Sequence, residues 1–475
     1  MEGKTKEIML KIDGIDVYAI EGTSIFDVAK TVDIKIPTLC YNPALKPLLA
    51  CRICSVEIID KRGKKRIVPS CIYPVFEGLV VDTKSEKVMR RRQELIELLF
   101  ARCPNVKTIQ ELAQEYNVDK PSLWVGDPEE DCILCGLCAR VCKEKVGVSA
   151  IEYAGRGMER EVNTTYHTIK DDCVGCGACA IICPTDSRNV RKNPYLMLEK
   201  DIKEAEDQFL NGTRDEFLGV YTEIFAGKSI IDGQDGGMAS ALLISGMKKG
   251  LFDAVIVVKR TEGYKAEAII AETDDEILNA RGTKYSRVKT TSKVDELMEK
   301  GKKKIAIVGT PCEVRKGRKI QQRLLSTYPD LKITIVGLFC FEAFDYEKLK
   351  EETKRLLGVD LDKAEKTQIQ KGKFIVQIDG KEYSAKVKEF HNAIQGGCAY
   401  CNDFGAGLSD VSVGSVGSDE GYSTVIVRSD AGKKLLENVD FVKGDVNKEE
   451  IIKLAGFKKK RAEKNFAPIL EGTQK

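Results

Sequence analysis

The stretch DCILCGLCARVCK, residues 131–143, and its echo DDCVGCGACAIICPTD, residues 171–186, decide how the middle of this 475-residue chain folds. Each carries a C-x2-C-x2-C-x3-C run: Cys132, Cys135, Cys138 and Cys142, then Cys173, Cys176, Cys179 and Cys183, the latter followed by Pro184. The first three thiolates of such a run can wrap one cubane iron-sulfur cluster, while the fourth reaches the other cluster of a pair. The spacing therefore predicts one [4Fe-4S] cluster on Cys132, Cys135, Cys138 and Cys183, and a second on Cys173, Cys176, Cys179 and Cys142. Gly136, Gly175 and Gly177 stand between ligands, where a missing side chain lets backbone N–H groups approach sulfur.

Residues 128–192 thus resemble a two-cluster bacterial-type ferredoxin, with Lys143 where a proline is expected after the first run. Toward the N-terminus, Ile8, Leu10 and Ile12 alternate, Asp13-Gly14 supplies a hairpin turn, and Val17 and Ala19 continue a second strand. Thr23 or Ser24 can cap a helix carrying Ile25, Val28, Ala29 and Val32 at helical spacing. Cys40, Cys51, Cys54 and Cys71 follow, spaced C-x10-C-x2-C-x16-C. This order resembles the β-grasp domain that opens the large iron-sulfur subunit of NADH:quinone oxidoreductase and begins iron hydrogenases and some formate dehydrogenases; the resemblance implies one [2Fe-2S] cluster. The long first gap differs from the plant-type C-x4-C-x2-C spacing and favours the complex-I-like branch. A zinc knuckle fits less well, because zinc sites usually pair two short cysteine hairpins. Large subunits of that kind bear a further His-and-three-Cys cluster next, but residues 101–131 hold only Cys103 and no histidine. That cluster is expected to be absent, and Cys103 to be a buried, inert thiol.

From about residue 214 the pattern is α/β. Ser229, Ile230 and Ile231 lead into the turn DGQDGG, a helix from Met238 to about Met247 and a strand from Phe252 to Val258. A Gly-rich loop entering a helix aims backbone donors and the positive helix end at an anion, although the same residues also suit a plain turn. Cys312 follows the strand Ile305–Val308, Cys340 follows Ile333–Leu338, and Cys398-x2-Cys401 lies in a Gly-rich loop. Spacing alone leaves a cluster and a set of buried structural thiols equally open, since free cysteine packs as a small hydrophobe.

GQDGGMASALL (233–243), VVKR (257–260), RGTKYS (281–286), GTPC (309–312), GLFC (337–340), CAYC (398–401), DVSVGSVGS (410–418) and GYSTVIVRS (421–429) occur in one order. Together they resemble the coenzyme F-420-reducing hydrogenase β-subunit family, which includes formate dehydrogenase β subunits and the input subunit of the F-420H2 dehydrogenase. The resemblance spans about residues 214–450. It implies an FAD, coenzyme F-420 bound against it, and a third [4Fe-4S] cluster on Cys312, Cys340, Cys398 and Cys401. For FAD or F-420 it points to Gly236, Gly237, Ser240, Lys259, Lys284, Tyr285, Gly309, Thr310, Gly414 and Ser415. Each of these also suits a turn or surface. Lys259 and Lys284 are candidates to stabilise reduced flavin or to bind the coenzyme's phosphate and tail.

The fold class expected is multidomain α+β. A β-grasp [2Fe-2S] domain spans 1–100, a helical linker 101–130, a two-[4Fe-4S] ferredoxin domain 131–192, a linker 193–213, and an α/β flavin domain with one [4Fe-4S] cluster 214–475. The 17 cysteines suit metal ligation better than disulfides in a reducing compartment. With 76 Lys and Arg against 73 Asp and Glu, no global field favours nucleic acid, and the basic runs Lys61–Arg66, Arg90–Arg92 and Lys458–Arg461 are expected to be solvated. No apolar run approaches the ~18 residues of a membrane span, and the charged N-terminus lacks a secretory core, so a cytoplasmic protein is expected. The only histidines, His167 and His391, are expected to be ordinary ones.

F-420 moves a hydride and each cluster a single electron, so flavin is the required converter. The function expected is an electron-transfer subunit, with flow in either direction. Electrons pass between F-420H2, FAD, the clusters and a larger redox complex resembling a formate dehydrogenase, hydrogenase or heterodisulfide reductase in archaeal-type energy metabolism. The alternatives are a non-enzymatic iron-sulfur relay, or a reductase with another hydride donor or substrate.

Overall fold

The computed structural model describes residues 6–60, 62–119, 121, 125–163, 172–188 and 195–473. His167 lies outside them. The alternation at Ile8, Leu10 and Ile12 buries one face of β1 (Glu7–Ile12), and Asp13 and Gly14, both at positive φ, turn the chain into β2 (Ile15–Ile20). With β3 (Ser55–Ile59), β4 (Lys65–Pro69) and β5 (Val80–Asp82) they form a sheet of order β2-β1-β5-β3-β4. Ser24 caps α1 (Ile25–Thr31), its Oγ accepting the Asp27 N–H.

Two helices follow, α2 (Glu86–Arg102) and α3 (Lys107–Glu115). The second falls in the expected linker, yet Val106, Ile109 and Ala113 enter a core with Leu39 and Ile53 on one side and Ile133 and Ile182 on the other. That shared core binds the N-terminal cysteine loop to the central cysteine runs. In the first run, the helix Leu137–Arg140 continues into a π turn, Val141–Val146, through Lys143; in the second, Ala178–Ile181 ends just ahead of Pro184. A hairpin of β6 (Glu152–Ala154) and β7 (Glu161–Asn163) lies between the runs. Residues 193–213 include α4 (Glu199–Phe209).

A small hairpin, β8 (Thr213–Asp215) and β9 (Gly219–Tyr221), leads into an eight-stranded sheet. Its strands are β10 (Glu223–Ser229), β11 (Ala254–Arg260), β12 (Ala266–Ala271), β13 (Lys304–Gly309), β14 (Lys332–Leu338), β18 (Val411–Gly414), β19 (Ser423–Val427) and β20 (Phe441–Gly444). The three-stranded sheet β15 (Lys366–Gln370), β16 (Lys373–Ile378) and β17 (Lys381–Lys386) is inserted between β14 and β18. The order of the large sheet is β12-β11-β13-β14-β18-β19-β10-β20. β11, β13, β14 and β18 are parallel, and β10 runs with them because β19 is antiparallel to both β18 and β10. Five strands therefore end at one edge, where open α/β sheets bind ligands.

The expected strand Phe252–Val258 is shifted to Ala254–Arg260. Phe252 instead packs on α5 (Met238–Lys248), where a β-carbon on Gly246 would stand 2.3 Å from its ring. α6 (Pro311–Leu325) and α7 (Tyr346–Leu357) follow β13 and β14, and α8 (Lys448–Glu471) closes the chain.

Candidate functional site

The N-terminal cysteines fall into two close pairs. The Cys51 N–H donates to Cys40 Sγ at 3.4 Å, and the thiols of Cys40 and Cys51, and of Cys54 and Cys71, are hydrogen-bonded. Within each pair one thiol is pushed up and the other, Cys51 or Cys54, is held below its ordinary value by its partner. Two pairs of this kind suit the two irons of a [2Fe-2S] centre. Arg92 was expected to be solvated, but its side chain is buried and donates to the carbonyls of Ile53 (3.2 Å) and Ser55 (2.9 Å), pinning the loop that presents Cys51 and Cys54. The helical period places Arg92 on the inner face of α2, whereas Arg90 and Arg91 are more open to solvent.

In the central runs the fourth cysteines cross over. Cys132, Cys135 and Cys138 each have Cys183 as an electrostatic neighbour, whereas Cys176 and Cys179 have Cys173 and Cys142. Cys142, Cys173, Cys176 and Cys179 together line one apolar hollow with Val146, Val148 and Leu196. Backbone N–H groups already point at sulfur: Ala150 to Cys142 (3.2 Å), Gly175 to Cys173 (3.5 Å) and Ser187 to Cys183 (3.3 Å). Burial pushes Cys135 and Cys176 up to about 12, so a thiolate there needs a metal to stabilise it. Among the described residues no three His, Cys, Asp or Glu side chains close on one metal-sized point. Gly136 has φ +72°, and a β-carbon there would lie 2.3 Å from the Tyr153 hydroxyl oxygen. Cys103 is fully buried beneath these runs, and burial pushes it up to about 12.

At the sheet's carboxyl edge, Thr310 caps α6 and its Oγ1 lies 3.3 Å from Cys312 Sγ. Cys340 has Cys312, Cys398 and Cys401 as electrostatic neighbours, which brings the four together. The Cys340 N–H donates to Phe404 O (3.0 Å), and the Ala343 N–H to Cys398 Sγ (3.4 Å). Of the CAYC pair, expected in a Gly-rich loop, Cys398 lies within a short 3-10 turn, Gly396–Tyr400, and Cys401 caps it. The run Lys458–Arg461, expected to be solvated, braces this set. Lys458 is 2% exposed and donates to Cys340 O, Arg461 donates to Phe341 O and Cys398 O and pairs with Glu342, and Asn465 donates to Ala399 O. Residues 458, 461 and 465 share one face of α8. Burial opposes the Lys458 charge, but Cys401, Cys340, Asp403 and Cys398 outweigh it and raise its pKa. His391 is exposed.

The four sets abut in series. Cys51 is an electrostatic neighbour of Cys135, and Cys138 of Cys179. Cys176 neighbours Tyr400 of the CAYC turn, where a β-carbon on Gly397 would lie 3.0 Å from Val174.

The residues expected to touch flavin or F-420 fall into separate groups. Gly236 and Gly237 enter α5; the Gly236 N–H donates to Ser423 Oγ, and Gly237 is the αL N-cap. Their loop is tied to the segment carrying Lys284 and Tyr285, because Gln234 Oε1 accepts the Thr283 N–H (2.8 Å) and Arg281 donates to Asp232 O. Ser240 is half-buried on α5. The Lys284 ammonium donates to Ala280 O and Arg281 O; burial, then the Arg260 charge, lower its pKa to about 8. The Tyr285 hydroxyl accepts the Ile369 N–H, and its ring packs edge-on to Phe374. Lys259 is exposed and faces Glu276. Gly309 and Thr310 lie at the end of β13 beside the buried Thr290 Oγ1, which has no hydrogen-bond partner among the described residues. Gly414 is covered by the Phe339 ring and Ser415 is exposed. Thr290 and Arg287 were not picked out from the sequence, since no motif marks a threonine or arginine whose importance comes from burial.

Residues 224–294 match the N-terminal model, and residues 302–451 the C-terminal model, of the coenzyme F-420 hydrogenase/dehydrogenase beta-subunit family. Residues 5–86 match a 2Fe-2S iron-sulfur cluster binding domain, and 128–189 a 4Fe-4S dicluster domain. The chain is 38% identical over 248 residues to the coenzyme F-420 hydrogenase subunit beta of Methanococcus voltae, covering 49% of this chain and 88% of that protein. To its counterpart from Methanothermobacter thermautotrophicus it is 35% identical, covering 53% and 95%. To the coenzyme F-420-dependent sulfite reductase of Methanocaldococcus jannaschii it is 36% identical over 51% of this chain, but spans only 40% of that protein. In structure, 53% of the chain superposes on 93% of a chain in the F-420-reducing [NiFe] hydrogenase complex from Methanosarcina barkeri, with TM-score 0.51 and 30% identity. No helix among the described residues is long and apolar enough to cross a membrane.

Proposed function

Since the chain belongs to the coenzyme F-420 hydrogenase/dehydrogenase β-subunit family, we propose that it is an F-420-dependent oxidoreductase subunit that exchanges electrons between the deazaflavin and a larger redox complex. The observation that carries this reading is the unbroken series of four cysteine sets, from the carboxyl edge of the large sheet to the N-terminal domain. Bound FAD supplies the conversion of a hydride into single electrons. The residues at that edge fit it: the N-terminus of α5 and its Gly-rich entry suit a diphosphate, Lys284 offers a cation, and the orphaned Thr290 hydroxyl offers a donor beside Gly309.

In this reading Cys312, Cys340, Cys398 and Cys401 hold the [4Fe-4S] cluster nearest the flavin, with Lys458 and Arg461 fixing the loops that present them. Cys142, Cys173, Cys176 and Cys179 hold the next, Cys132, Cys135, Cys138 and Cys183 the third, and Cys40, Cys51, Cys54 and Cys71 a terminal [2Fe-2S] centre. The cysteines of the two central sets, buried except for the half-buried Cys176, exclude water from that part of the path, and the N–H groups directed at sulfur stabilise negative charge there. The partner complex meets the chain on the N-terminal side of this series.

Iron and flavin analysis of the anoxically purified chain tests the cofactor set. About fourteen irons and one FAD per chain are expected; an iron content near ten with no flavin would contradict it. Cys103→Ser should leave the iron count unchanged, and loss of a cluster would make Cys103 a ligand. Lys284 is protonated below about pH 8 and neutral above it, so affinity for the anionic coenzyme should fall as pH rises through that value. Equilibrium titration across pH 7 to 9 should lose this dependence in Lys284→Met; an unchanged profile would take Lys284 out of the binding site.

A further inference from the structure

Arg287 leaves the segment of Lys284 and Tyr285 and runs inward to the meeting point of two cysteine sets. Its guanidinium donates to Asp172 O (3.2 Å) and Cys173 O (3.4 Å), hydrogen-bonds the Cys312 thiol, and pairs with Glu313 at 3.5 Å. The side chain is 8% exposed and that of Glu313 1%. Glu313 is itself held by the Thr291 N–H and hydroxyl and by the buried Lys316. A planar, permanently charged group is thus fixed between a ligand candidate of one set and the backbone of a ligand candidate of the next.

We propose that Arg287 is the positioning residue that couples the cluster on Cys312, Cys340, Cys398 and Cys401 to the cluster on Cys142, Cys173, Cys176 and Cys179. It holds the two ligand loops together and places a fixed positive charge between them. The step it serves moves one electron: the donor cluster is oxidised by one, the acceptor reduced by one, and no proton or bond is exchanged with Arg287. A nearby cation stabilises the added electron on either cluster, so both potentials lie higher than without it. The inference rests on the cluster assignments proposed above.

The test is a redox titration of the loaded chain followed by EPR, together with the rate of electron transfer between the two clusters after rapid photoreduction. The wild-type spectra test the cluster assignments; the variants test Arg287. Arg287→Met should shift both signals to lower potential and slow transfer by at least about tenfold. Arg287→Lys should return the potentials toward wild type, because it keeps the charge, but not the rate, because it cannot span both loops. If Arg287→Met fails to assemble clusters, Glu313→Gln serves instead: removing the carboxylate charge should raise the same two potentials and leave the other two centres unmoved. A wild-type transfer rate in Arg287→Lys together with unchanged potentials in Glu313→Gln, with iron content intact, would overturn the proposal.

Discussion

Replacing Cys312 with serine should leave flavin bleaching by F-420H2 intact while slowing electron delivery to the central clusters by at least about 100-fold, roughly 2.7 kcal/mol on that barrier. The expectation follows from position. Cys312 lies just inside α6, beside Thr310, at the same carboxyl edge of the sheet from which the Gly-rich entry to α5 leaves, and Arg287 ties it to Cys173 O, so in the proposed route it stands between the flavin cradle and the rest of the series. Hydride acceptance needs the cradle and not the thiol. In the proposed route onward transfer needs the cluster assigned to Cys312, because the next cysteine set is reached through the CAYC turn and Arg287. Stopped-flow absorbance separates the two phases; an unchanged second phase would remove this cluster from the route.

Replacing Cys183 with serine should disturb the cluster built mainly by the first run, although Cys183 belongs to the second. Its thiol neighbours Cys132, Cys135 and Cys138, and the Ser187 N–H donates to it on the far side. Loss of up to about four irons is expected, with an EPR spectrum matching that of Cys132→Ser. A spectrum matching that of Cys173→Ser would mean the runs do not cross.

The cysteine pattern was the most legible part of the chain, because ligand spacing is short-range and a cubane tolerates few alternatives. The β1–β2 hairpin was equally plain, since Asp13-Gly14 between alternating apolar residues admits few other folds. The spatial order of the cysteine sets was not legible: it depends on which loops touch, and Cys51 lying near Cys135, or Val174 meeting Gly397, leaves no local trace. The basic runs misled for the same reason. Arg92 and Lys458 look like their solvated neighbours until the helix carrying each is packed, and each then satisfies buried carbonyls beside a cysteine set. At Gly414 the Phe339 ring fills the space that the missing side chain leaves, a packing role that the Gly-Ser motif does not disclose.

The central claim is that this chain turns a hydride into single electrons. The measurement that tests it most directly is an anoxic assay of the flavin- and iron-replete chain, mixing F-420H2 with an artificial one-electron acceptor and following loss of the reduced coenzyme. Oxidation of one F-420H2 for every two acceptor molecules reduced is expected. No oxidation, with flavin and all clusters present and a competent acceptor, would contradict it.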